Sequence, residues 1–291
     1  MDVRTLLSQK RPVFSFEFFL PQIPENLSEF LKNLESFKTL NPDFVTLTYG
    51  AGGSGRERTI EAAGLIKKET GLETACHLTG IAHTKREILE RLNRLEELNI
   101  HHIVALRGDI PKGEKTPSES LDKDFPHAQD LISFIRQRGG FQIAAAGYPE
   151  THPDAVSPQD DIVRLSEKVK AGSDWVITQI FFDNKDYFDF VQKARANGVS
   201  CPIVPGLMPV TSFSQLKRFA SFCKAKIPKK MAADLDQIQN DPEAVIRYGI
   251  DWSVKQAQEL LATGAPGIHF FTLNRSHSTA QVLKNLRSSA H

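Results

Sequence analysis

Short apolar runs alternate with longer amphipathic stretches along almost the whole chain. The short runs predict strands at Val13–Phe18, Phe44–Tyr49, Glu73–Leu78, His102–Leu106, Gln142–Ala146, Val176–Phe181, Ile203–Pro205 and Ile268–Leu273. Between them, Glu61–Glu69, Lys85–Leu98, Ala128–Gln137, Asp160–Ala171, Lys185–Ala196 and Ser214–Cys223 repeat apolar residues at three- and four-residue spacing, as one face of a helix requires. Thr84 ahead of Glu87, Ser157-Pro158, and Ser212 ahead of Gln215 have the form of helix starts. Gly71, Gly172 and Gly198 have the form of helix stops. A polar, helix-rich insertion, Lys224–Asn240, precedes the last predicted helix, Pro242–Ala262.

Strand–helix alternation with short links implies a parallel sheet with crossover helices. Eight such units predict a single (β/α)₈ TIM barrel, with an open doubly wound sheet as the alternative. The 291 residues suit one barrel, which needs roughly 250, and no shift in composition divides residues 1–291 into two domains. The stretch Pro111–Lys123, rich in Lys, Glu, Ser and Pro, reads as a loop after the fourth strand.

Charge and cysteine usage narrow the class. A net charge of +1 argues against a nucleic-acid or membrane surface. The start, Met1-Asp2-Val3-Arg4-Thr5-Leu6-Leu7, lacks the apolar stretch of a signal peptide, and no run reaches the ~18 apolar residues that span a bilayer. Cys76, Cys201 and Cys223 form no Cys-x-x-Cys, so free thiols in a reducing, cytoplasmic setting are expected. No His, Cys, Asp or Glu grouping has metal-ligand spacing, and no nucleophile elbow is present.

In a barrel the chemistry belongs at the C-terminal strand ends. Alternation puts Phe14, Phe16 and Phe18 on one face of the first strand and Val13, Ser15 and Glu17 on the other. The phenylalanines should pack under helices, leaving Glu17 in the mouth. Burial there should raise its pKa and suit a general acid, although a salt-bridged core glutamate has the same pattern. The second strand ends in Thr48-Tyr49-Gly50-Ala51-Gly52-Gly53-Ser54-Gly55, a glycine-rich turn that matches neither phosphate-loop pattern. The third ends at His77, the fourth at Arg107-Gly108-Asp109. The fifth, Ile143–Gly147, is built of small residues that leave room beside it. The sixth carries Gln179, whose amide needs partners.

Taken in order, Phe16-Glu17-Phe18-Phe19, Thr48-Tyr49-Gly50-Ala51, His77-Leu78-Thr79, Leu106-Arg107-Gly108-Asp109, Tyr148-Pro149-Glu150-Thr151-His152-Pro153, Thr178-Gln179-Ile180-Phe181-Phe182 and Thr272-Leu273-Asn274-Arg275 resemble methylenetetrahydrofolate reductases of the bacterial, catalytic-domain-only type. The resemblance implies a flavoprotein in which NADH or NADPH reduces FAD and leaves. Methylenetetrahydrofolate then takes its place and becomes 5-methyltetrahydrofolate, feeding methionine synthesis. It implies Glu17 as the general acid that opens the folate's five-membered ring, and Asp109 as the carboxylate between flavin and folate. It implies FAD contacts from Thr48, Tyr49, Ala51, His77, Arg107, Gly108, Asp109, Ala128, Tyr148, His152, Ala155, Asp161 and Lys168. Gln179, Gln215, Phe219 and Arg275 fall where the family holds substrate. A homo-oligomer is expected on the same ground. The sequence departs from better-known members at Arg164, Glu167 and His127, near the adenosine side of FAD, and in the length of the loop 111–124. Two other readings share the fold: a proline-dehydrogenase-like flavin barrel, and a folate- or flavin-binding subunit that takes electrons from a partner.

Overall fold

Eight apolar runs form the eight parallel strands of a closed barrel: β1 (Val13–Phe18), β2 (Phe44–Leu47), β3 (Thr74–Thr79), β4 (His102–Leu106), β5 (Gln142–Gly147), β6 (Trp175–Ile180), β7 (Ile203–Leu207) and β8 (Gly267–Phe271). The computed structural model describes residues 2–9, 11–20, 27–48, 56–109 and 124–288. Neighbours in sequence are neighbours in the sheet, and β1 closes the ring by pairing with both β2 and β8. The closed barrel replaces the open-sheet alternative. The predicted strands hold to within a few residues; β2 ends at Leu47, and Tyr49 lies outside the described residues.

The helices are α1 (Val3–Leu7), α2 (Leu27–Lys38), α3 (Arg56–Thr70), α4 (Lys85–Glu97), α5 (Ala128–Arg138), α6 (Pro158–Lys170), α7 (Asn184–Ala196), α8 (Phe213–Cys223), α9 (Lys229–Ile238), α10 (Pro242–Ala262) and α11 (Ser276–Ser288). The predicted caps are present. Thr84 and Glu87 form a reciprocal capping box at α4, and the Ser157 and Ser212 hydroxyls accept the backbone N–H of Asp160 and Gln215. Gly71, Gly172 and Gly198 take the positive φ that stops a helix.

Three helices differ from expectation. Helix α11 follows α10, so Pro242–Ala262 is not the last. Its polar opening, Ser276-His277-Ser278, hides the apolar face that Val282, Leu283 and Leu286 bury. Helix α2 is a further one, with Phe30, Leu34 and Phe37 buried at helical spacing. Helix α1 is too short to show a period, and a tertiary role explains it. It plugs the floor of the barrel, where Val3, Leu6 and Leu7 pack on Val13, Phe44, Val104, Trp175 and Val204. Burial of each apolar side chain there contributes about 2 kcal/mol. The Asp2 carboxylate caps the plug by accepting Thr5 N–H at 3.1 Å, and Val3 N–H is tied to Gln142 Oε1 at 2.9 Å.

Phe16 and Phe18 pack outward under the helices, Phe18 edge-on to Phe37 with ring centroids 4.7 Å apart. That confirms the face assignment of β1 and turns Ser15 and Glu17 into the lumen. A smaller apolar cluster joins Ile180, Phe182, Met208, Val210 and Phe213 to Met231, Leu235 and Val245, seating α8, α9 and α10 beside the mouth.

Candidate active site

Glu17 stands near the top of β1 with β2 and β8 on either side. Strand register sets Thr46 opposite Glu17 and His269 opposite Ser15. His77 enters from β3, the next strand round. Three strands thus aim polar side chains at one carboxylate on a fourth. Glu17 Oε2 lies 3.3 Å from His77 Nε2, 3.4 Å from His269 Nε2 and 3.4 Å from Thr46 Oγ1. The second nitrogen of His269 is fixed at 2.8 Å by the Ser15 hydroxyl. Among the described residues every such contact to the Glu17 carboxylate falls on Oε2. The cluster is buried, with Glu17 6%, His77 7% and His269 0% exposed.

This geometry corrects the expected pKa of Glu17. Burial is the largest single influence and does push it up, as expected from the aromatic strand. The charges and hydrogen bonds of His77 and His269 together outweigh it, and the carboxyl is held down at about 2. The carboxylate is therefore ionised at neutral pH, with the histidines as its partners. His77, expected beside the cofactor, turns its Nε2 to Glu17. His269, Ser15 and Thr46 were not singled out from the sequence. A histidine and a serine at alternate, inward-facing strand positions were the available signal.

The remaining candidates divide into two groups around the rim. Thr48, Arg107, Gly108, Asp109, Ala128, Tyr148, His152, Ala155, Asp161 and Lys168 lie just past β2, in the β4–α5 and β5–α6 connections, or on α5 and α6. Thr48 N–H donates to Phe18 O at 2.9 Å. Gly108 has φ +91, and a Cβ there would stand 2.7 Å from the Ile81 side chain and 2.9 Å from that of Thr79, so the bend between Arg107 and Asp109 requires glycine. Arg107 Nε donates to Pro126 O at 3.1 Å, while Asp109 is exposed. Ala128 opens α5. Tyr148 and His152 meet edge-on with centroids 4.5 Å apart. His152 Nδ1 accepts Asp154 N–H at 3.0 Å, and burial pushes its pKa down, so the ring is held neutral. Ala155 N–H closes the same turn on His152 O at 3.0 Å. Asp161 accepts His152 N–H at 2.9 Å; burial pushes its carboxyl up against that bond and against Lys168. Lys168 turns its ammonium onto Ala146 O at 2.5 Å, and burial lowers its pKa to about 8 against the pull of Asp161. Tyr49 and Ala51 lie outside the described residues.

The second group faces them. Gln179 on β6 returns its amide oxygen to the next backbone N–H, at 2.8 Å. Gln215 and Phe219 lie one turn apart on α8, with the Thr211 hydroxyl on Gln215 at 3.3 Å and the Arg218 guanidinium over the Phe219 ring at 5.4 Å. Arg275 is exposed just past β8. Arg164 and Glu167 pair with each other at 3.1 Å on the exposed side of α6. No group of His, Cys, Asp and Glu among the described residues could hold a metal ion, and none of the described helices is long and apolar enough to cross a membrane. The three thiols are free, and burial raises Cys76 to about 12 and Cys201 and Cys223 to about 11.

A closed barrel with a buried Glu–His cluster at its mouth narrows the field, and comparison decides the family. A family model described as methylenetetrahydrofolate reductase matches residues 2–287. The chain belongs to the methylenetetrahydrofolate reductase family. It is 37% identical over 278 residues to the 5,10-methylenetetrahydrofolate reductase of Pectobacterium carotovorum, covering 96% of this chain and 91% of that one. The enzyme of that name from Escherichia coli is 36% identical over 272 residues, covering 94% and 90%. Methylenetetrahydrofolate reductase (NADH) 1 of Arabidopsis thaliana is 35% identical over 295 residues, covering 98% of this chain and 50% of the plant protein. The chain thus spans about half the length of the plant family members and nine-tenths of the bacterial ones. Among solved structures, a Clostridium thermocellum protein described as binding two copies of 5-methyl-5,6,7,8-tetrahydrofolic acid superposes with a TM-score of 0.65 over 99% of this chain and 98% of that one, at 16% identity. That likeness supports the fold.

Proposed function

We propose that the chain reduces 5,10-methylenetetrahydrofolate to 5-methyltetrahydrofolate with electrons from NADH or NADPH, using FAD. The observation that carries this is a buried carboxylate, linked to two histidines, at the barrel mouth of a member of this family. FAD, when bound, supplies the hydride-carrying chemistry between nicotinamide and folate.

The residues on the β4–β6 side suit such a group. Arg107 and Lys168 are cationic and Tyr148 is aromatic, and the small Ala146 side chain alternates onto the inner face of β5, which suits a flat ring and a pyrophosphate. Lys168 is the strongest of these, because its buried ammonium has one backbone carbonyl and the nearby Asp161 as partners and would gain from a phosphate. Tyr49 and Ala51 belong to the same assignment. Gln179, Gln215, Phe219 and Arg275 would hold the substrate: two amides for the pterin or nicotinamide edge, a ring to stack on, and a cation for the glutamate tail.

Reduction of the methylene group requires the folate ring to open, and the departing nitrogen must take a proton. Glu17 is the acid in this reading, with His77 and His269 beside its Oε2. In the free protein the carboxylate is ionised. A substrate closing the mouth strips away water, which favours the neutral carboxyl over the carboxylate. A proton from solvent, taken up at Oε2, then passes to the departing substrate nitrogen. Asp109 would supply the negative charge that stabilises the cationic iminium exposed by ring opening.

Anaerobic stopped-flow on the purified protein tests the reading. NADH and NADPH are mixed separately with the FAD-loaded protein, and methylenetetrahydrofolate is added to the reduced form. Bleaching by one nicotinamide followed by folate-dependent recovery is expected. Folate-dependent recovery without bleaching by either nicotinamide would favour a partner-fed subunit, and bleaching with no response to folate would defeat the assignment of substrate.

A further inference from the structure

The Thr272-Leu273-Asn274-Arg275 motif contributes more than its arginine. The β1–β8 ladder ends at the Glu17–Phe271 pair. Beyond it the chain turns through two consecutive left-handed residues, Leu273 at φ 50 and Asn274 at φ 60. Neither is glycine, and left-handed residues of this kind concentrate at functional sites. The turn brings the Asn274 amide back onto β1. Phe19 N–H donates to Asn274 Oδ1 at 2.9 Å, and Asn274 Nδ2 donates to Phe19 O at 2.7 Å. One side-chain amide thus makes both bonds that the next rung of a neighbouring strand would make. Below it, the Thr272 hydroxyl donates to Glu17 O at 2.7 Å and accepts Asn274 N–H at 3.2 Å. From the other side Thr48 N–H donates to Phe18 O at 2.9 Å. The peptide groups from Glu17 to Phe19 are therefore fixed on both edges.

We infer that Asn274 is a positioning residue. Its amide locks the end of β1, and so sets where the Glu17 carboxyl and the partly exposed Phe19 ring, on the same face by alternation, meet the substrate. Only a side chain with one donor and one acceptor in amide geometry makes this pair of bonds, and asparagine is also the non-glycine residue that best tolerates the left-handed region. The inference rests on the proposed reduction of methylenetetrahydrofolate, with Glu17 as its acid.

Asn274→Gly separates the amide from the turn, since glycine adopts φ 60 without strain and leaves the fold intact. Leu273→Gly keeps the amide and serves as the control. Two readouts are used on the FAD-loaded proteins: hydrogen exchange of peptides covering residues 14–20, and steady-state folate reduction across pH. Asn274→Gly should exchange at least about tenfold faster at Phe19. It should lose about 10- to 100-fold in kcat with KM within about threefold, because a misplaced acid costs rate more than binding. The limb of its pH profile that reports Glu17 should shift as well. Leu273→Gly should match wild type in exchange, kcat and pH profile. Unchanged exchange in Asn274→Gly, faster exchange with an unchanged kcat and pH profile, or an equal kcat loss in Leu273→Gly would each overturn the inference. Wild-type protein that fails to reduce methylenetetrahydrofolate would instead defeat the functional reading, and the exchange measurement would still decide whether the amide holds Phe19.

Discussion

Glutamine in place of Glu17 tests the electrostatics of the cluster directly. The side chain keeps its shape and its ability to accept from Thr46, loses its charge, and exchanges its other oxygen for an NH2 donor. Lowering the carboxyl from an ordinary 4.5 to about 2 corresponds to about 3 kcal/mol of preference for the ionised form in the folded protein. A depressed carboxyl stabilises the fold above its unfolded pKa and ceases to do so as pH falls through the folded value. The contribution is thus present in full above about pH 5, erodes below 4.5, and is spent near 2. Glu17→Gln should therefore be less stable than wild type by about 3 kcal/mol at pH 7, and the gap should shrink by more than half at pH 3. Urea denaturation of both proteins at pH 7, 5, 4 and 3 measures this. A variant as stable as wild type at pH 7, or more stable, would show that burial dominates after all and that Glu17 is protonated in the fold.

Two further predictions follow from single contacts. Gly249 lies on α10 with its Cα so close to the β7–α8 connection that a Cβ would stand 1.9 Å from Val210 O. Alanine normally favours a helix by about 1 kcal/mol over glycine. Here Gly249→Ala should lower stability by about 1–3 kcal/mol, because the helix must back away from the loop; a raised Tm would contradict the packing. Lys168→Met should leave the FAD-free protein as stable or more stable, since it removes a buried ammonium, and should weaken FAD binding about tenfold or more, read by titration calorimetry. Unchanged FAD affinity would remove Lys168 from the cofactor site.

The barrel was legible because its determinants are local. Alternation in Val13–Phe18 assigns the Phe16 and Phe18 rings to the helix layer and Glu17 to the lumen, and the packing of Phe18 on Phe37 agrees. Thr84 with Glu87, and Ser157 with Pro158, mark helix starts because a cap is a bond between residues a few positions apart. Helix α1 was not legible, because five residues carry no period. What holds it is the barrel floor, together with Gln142, 139 positions away from Val3.

The charge state of Glu17 illustrates the same boundary at the site. Its burial is a property of the strand it belongs to, and the sequence shows that strand. Its partner His269 comes 252 residues later, and only barrel closure brings the two together. Alternation places His269 on one face or the other of β8 once register is known, and a one-residue slip would turn it out of the lumen. The register of β1 on β8 is constrained at Gly267, where a Cβ would stand 2.0 Å from Val13 O, so the strands approach there as only glycine permits. That contact aligns Ser15 with His269 and sets His269 against Glu17. A carboxyl expected to be neutral from its own strand is ionised because of His77 from β3 and His269 from the last strand. The acid of the site is accordingly a product of closing the barrel, which is why both the register of β8 and the turn that follows it bear on where the proton is held.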